Sequence, residues 1–185
     1  MNLRTGRRLA EFHQYVAPIE SPKLSAFCVN FTGIAQSKID NDGVPIQTCL
    51  MLFDKWVKEQ INVYQLILPK TSRNRPQGNC ALASWSDWDF SVCLHRECER
   101  KRVKKPAYFN QWIDIKAIYK KWFKYNPLNF CDALHHVGIA FAGREHSGID
   151  DAKNLATLIS HMFHDGTPFF ITKDLMPFMM FNKNS

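Results

Sequence analysis

The string Glu145-His-Ser-Gly-Ile-Asp-Asp151 brings one imidazole and three carboxylates into seven consecutive positions. An imidazole can take a proton from water near neutral pH, and a carboxylate in the first turn of a helix is favoured by the helix dipole. With His146 just ahead of a helix and Asp151 in its first turns, both groups can address one place. The plain alternative is an exposed histidine before an ordinary helix start, and the spacing alone leaves both open. Asp89 is a third candidate, closing Trp85-Ser-Asp-Trp-Asp89 directly after a short apolar run. Strand ends are where open α/β sheets gather their reactive groups. Two aspartates and a histidine suit magnesium, a hard ion that prefers oxygen, and paired ions can activate water in phosphodiester cleavage. Taken by itself, Asp89 reads first as the cap of the helix that follows.

The elements that must hold these groups can be read from hydrophobic spacing. Ile149, Ala152, Leu155, Ala156, Ile159, Met162 and Phe163 share one helical face, Gly166 ends it, and Ser147 with Asp150 reads as a capping pair at its start. Residues 80–84 form an apolar run between breakers, a predicted strand that delivers the tryptophan segment. Phe90, Cys93 and Leu94 suggest a helix running into the basic stretch, residues 112–115 a strand, and residues 118–123 a helix. A short helix carries Phe130, Ala133, Leu134 and Val137. Upstream, residues 11–16 alternate as a strand ended by Pro18. Ser21-Pro22 reads as the start of a helix through Leu24, Phe27, Cys28 and Phe31, stopped by Gly33. From Pro45, residues Ile46, Cys49, Leu50, Phe53, Trp56, Val57 and Ile61 predict a second helix. Residues 63–68 read as another strand and residues 69–78 as a basic loop. Helices alternating with short strands indicate an α/β layer fold in one domain over residues 1–185.

Composition narrows the function classes. The chain has 185 residues, 45% hydrophobic and 22% charged, which excludes a disordered or low-complexity polymer. No apolar run approaches the roughly 20 residues of a membrane span and the start has no apolar signal core, so the expectation is a soluble protein of the cytoplasm or nucleus, without a membrane partner. Six cysteines without a CxxC pair are expected to be reduced and mostly buried. The net charge of +7 is concentrated in Arg4, Arg7 and Arg8 and in the run from Arg96 to Lys105. A polyanion fits that charge, and so does a solvated helix face, which is the default for the second run.

Several of these strings together resemble the DEDDh 3′-to-5′ exonucleases, and within them the ERI-like exoribonucleases, closest to the second ERI type. They are Leu24-Ser-Ala-Phe-Cys28, Thr32-Gly-Ile34, Trp85-Ser-Asp-Trp-Asp89, Cys98-Glu-Arg-Lys101, Trp112-Ile-Asp114 and Gly143-Arg-Glu-His-Ser-Gly-Ile-Asp-Asp151 with Asn154 after it. The resemblance implies a ribonuclease-H-like mixed sheet flanked by helices and a two-metal mechanism using Mg2+ or Mn2+. It implies Asp89 and Asp151 as metal ligands, His146 as the general base, and Phe27 and Trp88 as the aromatic pair that holds the terminal base. Without it, both aromatics would be assigned to the core. The implied substrates are RNA 3′ ends or single-stranded nucleic acid, with DNA also open.

The family begins with a strand carrying Asp-x-Glu, and no Asp-x-Glu occurs in these 185 residues. The chain is therefore expected to be truncated at its N-terminus, with weakened metal binding and impaired turnover. Glu97-x-Glu99 and Asp87-x-Asp89 are the nearest acidic pairs, and neither is expected to substitute. The exposed sheet edge calls for a cover: residues 63–68, a second copy, or a protein partner. The alternative reading is a catalytically inactive, nuclease-derived module that binds RNA or protein.

Overall fold

The structure, a computed structural model, describes residues 1–68 and 78–175, so the predicted basic loop lies, except for Gly78, outside the described residues. The chain divides into two compact units, Met1–Glu59 with Pro127–Gly166 and Gln60–Asn126 with Thr167–Ser185.

In the first unit, α1 (Ala26–Thr32) starts at Ser25, whose hydroxyl accepts from the Cys28 N–H, and ends at Gly33 with φ 73°. Its start lies beyond Ser21-Pro22, because the side chain that meets a free helix N–H is that of Ser25. Gly33 is needed here: its left-handed turn suits glycine, and a Cβ would meet the Arg144 guanidinium at 2.6 Å. A helix absent from the sequence reading follows, α2 (Gln36–Asp42). The predicted second helix is α3 (Ile46–Tyr64), within which the division between the units falls. Phe53 and Trp56 on α3 close a three-ring cluster with Phe12, at centroid distances from 5.2 to 5.8 Å. The predicted strand over residues 11–16 does not form. A strand exists only where a neighbour pairs its backbone, and here Val16 alone bridges, to Val44. The unit is completed by α6 (Phe130–His136) and α7 (Gly148–His164), whose Ala133, Leu134, Leu158 and Met162 have no exposed surface.

The second unit carries a three-stranded mixed sheet in the order β1-β2-β3 among the described residues. β1 (Leu82–Ser84) pairs in parallel with β2 (Gln111–Asp114), Leu82 opposite Trp112 and Ser84 opposite Asp114. β3 (Lys173–Asp174), which the hydrophobic pattern did not announce, pairs antiparallel with β2. Residues 63–68 are no strand: Val63 and Tyr64 finish α3, and Gln65 at φ 52° turns the chain. After β1 comes a π-helical segment, Trp88–Leu94, continuing into α4 (His95–Arg100), while a 3-10 turn (Ala107–Asn110) leads into β2. Asp114 caps α5 (Ile115–Phe123) by accepting from the Ala117 N–H. Trp112, Ile115, Tyr119 and Cys98 are fully buried and form this unit's core.

The cysteines depart from expectation. All six are free, yet only Cys98 is buried, and Cys28 and Cys93 are exposed. A thiol is small enough to sit at a surface with little penalty, so apolar character alone does not bury it. Lys105 departs the other way: the last cation of the basic run is 7% exposed, its ammonium has no hydrogen-bond partner, and burial lowers its pKa. No helix among the described residues is long and apolar enough to cross a membrane.

Candidate active site

The first unit holds His146, Asp151 and Phe27. Ser147 N-caps α7 as expected, but its side chain caps no helix N–H. The hydrogen bonds run to Asp150 instead, which accepts from the Arg144 N–H at 3.1 Å and from Ser147, and these bonds lower its pKa. Gly143 makes that turn possible, at φ 92°, with a Cβ position 2.6 Å from the Asp150 carboxyl carbon. His146 follows with φ 65°, a left-handed conformation that side-chain-bearing residues rarely hold.

Its ring is stacked on Phe31, centroids 3.8 Å apart and planes 19° from parallel, and Phe31 stacks in turn on Phe27 at 5.3 Å. Phe27 is 70% exposed, so it presents a face to solvent and is no core residue. Asp151 lies in the first turn of α7, and burial raises its pKa while the His146 backbone N–H and ring charge oppose that rise. Neighbouring Cys131 donates to Glu145, and burial, with the charges of Glu145 and Asp151, pushes its thiol up to about 11. A thiol held that high is no nucleophile at neutral pH.

The second unit holds Asp89 and Trp88, both in the first turn of the π-helical segment. Such segments are rare and recur at functional sites. Trp88 is 61% exposed, again a face and no core residue. Burial raises the Asp89 pKa, but the residue as a whole is exposed, so that desolvation is partial. Asp87, two residues earlier, is committed to structure: it accepts from Trp112 Nε1 at 3.1 Å and pairs with Lys173 at 2.8 Å. Glu97 is held similarly, by Arg100 of α4 and by its C-cap Lys101. Neither acidic pair therefore offers two unengaged carboxylates in place of Asp-x-Glu.

Magnesium takes about six oxygen ligands. Among the described residues no group of three or more His, Cys, Asp or Glu side chains is placed to hold a metal. The donors among the described residues do not by themselves make up a complete metal centre.

The Exonuclease family (RNase_T) matches residues 2–159. The chain belongs to that family. It is 53% identical over 182 residues to the 3′-5′ exonuclease Snipper of Drosophila melanogaster, covering 98% of this chain and 64% of that protein. It is 44% identical to human ERI1 exoribonuclease 2 over 95% of its own length but only 26% of the relative's. The nuclease domain of 3′hExo, a DEDDh family member solved bound to rAMP, superposes with a TM-score of 0.79 at 28% identity, covering 95% of this chain and 82% of that one. The expected DEDDh, ERI-like affiliation and mixed α/β fold are thus borne out.

In this exonuclease-family chain, the sequence reading assigned no structural role to three residues that build the loop around His146. Phe31 supports the imidazole, and was visible only as one more apolar position of a helix. Arg144 donates from Nη2 to the Asn30 carbonyl at 2.6 Å, tying the loop to α1. Asn154, 3% exposed, accepts from the Ala142 N–H and donates to the carbonyls of Ala142 and Asp150. A polar residue inside the otherwise apolar stripe of α7 was the available signal.

Proposed function

We propose that this chain acts on RNA 3′ ends as a 3′-to-5′ exonuclease, with turnover impaired by its incomplete set of carboxylates. The observation that carries the reading is similarity to an exonuclease and an exoribonuclease over 98% and 95% of the chain. In this reading residues 1–185 work as one exonuclease domain, in the cytoplasm or nucleus. His146 accepts the proton of the attacking water, and its exposure and stacked support suit that task. Phe27 and Trp88 take the terminal base on their exposed faces, a sequence-tolerant contact appropriate to trimming any end. Asp89 and Asp151 are the carboxylates turned to magnesium or manganese. Such an ion, when bound, supplies Lewis acidity and a more acidic water. A partner or second copy covers the outer edge of β1.

A second reading, an inactive module that retains RNA, is favoured by one observation: no three potential ligands converge among the described residues. The deciding experiment incubates the protein with 5′-labelled single-stranded RNA and magnesium or manganese, beside Asp151→Asn. A slow ladder of shortened products, absent from the variant, is the expected result. RNA bound but never shortened establishes the second reading, and RNA neither bound nor shortened removes both.

A further inference from the structure

The second unit contains a groove of about 540 Å³ that none of the site residues above line. One side is α5 with Lys121 and Trp122 and its C-cap Lys124, and the other is the segment after Gly166 with Pro168 and Phe170. Its size falls within the roughly 300–1,000 Å³ of ordinary ligand pockets. Trp122 is 41% exposed and Phe170 51%, so each presents part of an aromatic face. The electrostatics are one-sided. Its lining contains Lys121 and Lys124 and no acidic residue. Lysines at a groove floored by aromatic rings match an occupant with regularly spaced negative charges and flat apolar faces. Phosphates can meet the ammonium groups while bases lie on Trp122 and Phe170. An acidic peptide would meet the charges but leave the rings without flat partners.

We infer that this groove is a second binding site for single-stranded RNA, holding nucleotides upstream of the 3′ end. The inference rests on the RNA reading given above, and its test separates the two. Anisotropy of a 5′-fluorescein 12-mer oligoribonucleotide is measured in EDTA, so that nothing is cut, for wild type, Lys121→Gln/Lys124→Gln and Phe170→Ala. A control, Lys23→Gln/Lys55→Gln, removes the same charge from exposed lysines of the other unit.

The groove double variant is expected to bind about tenfold more weakly. Its slope of log affinity against log salt should be shallower by about 1.4, since each lost phosphate contact on a single strand is worth about 0.7. Phe170→Ala should weaken binding about tenfold with the slope unchanged, and the control by less than about twofold. RNA binding by wild type that falls no further in the groove variants than in the control overturns the groove and leaves the RNA reading standing. No RNA binding by wild type overturns both. Competition by polyglutamate as effective as by unlabelled RNA of equal charge assigns the groove to an acidic protein segment and rejects it as an RNA site.

Discussion

At position 146 two requirements meet: a ring stacked on Phe31 and a backbone at φ 65°. The left-handed conformation costs an L-residue about 1–2 kcal/mol, which glycine avoids. His146→Gly and His146→Ala lose the same stack, so the difference between them isolates the backbone. Glycine should be the more stable by about 1 kcal/mol in urea unfolding, the reverse of its usual rank inside a helix. Both should lose any RNA shortening while keeping RNA binding. Asp151 gives a pH-dependent prediction. Its folded-state pKa is raised, so the fold holds the proton more tightly than the unfolded chain does. The charged form therefore destabilises the fold, a cost that is absent below the ordinary carboxylate range and complete above the raised value. Asp151→Asn should accordingly raise the melting temperature at pH 7 and leave it unchanged near pH 3. Asp89→Asn should act in the same direction, since burial raises that carboxyl as well.

Among the elements, α7 does most to organise the loop that carries His146. Asn154 makes three hydrogen bonds to the backbone of Ala142 and Asp150 from a buried position. Its truncation removes the side-chain partner of the Ala142 N–H and carbonyl, while the Asp150 carbonyl keeps its place in the helix ladder. Asn154→Ala should therefore cost about 2 kcal/mol in urea unfolding and open the loop to limited proteolysis near Arg144. An unchanged cleavage pattern would show that Arg144 and Asp150 hold the loop without it. Much of the helical framework was legible in the sequence: α3 and α7 follow apolar residues at three- and four-residue intervals, and Gly33 marks a real helix end. Strands were less legible, since residues 11–16 and 63–68 have the right composition but no ladder among the described residues. A strand is a property of two segments, and a single segment's pattern cannot name its partner.

Across the whole chain, two features set expectations. Trp112 is fully buried in the second unit and also donates to Asp87, so Trp112→Ala should cost about 3–5 kcal/mol, a large part of the stability of a domain this size. Trp112→Phe should lose less, because most of the ring volume remains. Metal dependence tests whether the chain holds an ion although no three ligands converge among the described residues. If the dissociation constant is about 10 mM or weaker, 10 mM magnesium adds at most about 0.4 kcal/mol, or roughly 1 °C in melting temperature. A rise of several degrees, lost in Asp151→Asn, would show a complete centre instead.

The sequence by itself determined the affiliation and the chemistry within reach, because motif strings are local and residue types carry their pKa and ligand preferences with them. His146 ahead of α7, Asp151 in its first turn and Asp89 after β1 all follow from neighbours in the chain. Only the tertiary structure decided that Phe27 and Trp88 are surface faces, that Asp87 is spent on Trp112 and Lys173, and that Lys105 is buried without a partner. Burial and partnership depend on residues distant in the chain that folding brings together, and no spacing rule contains them.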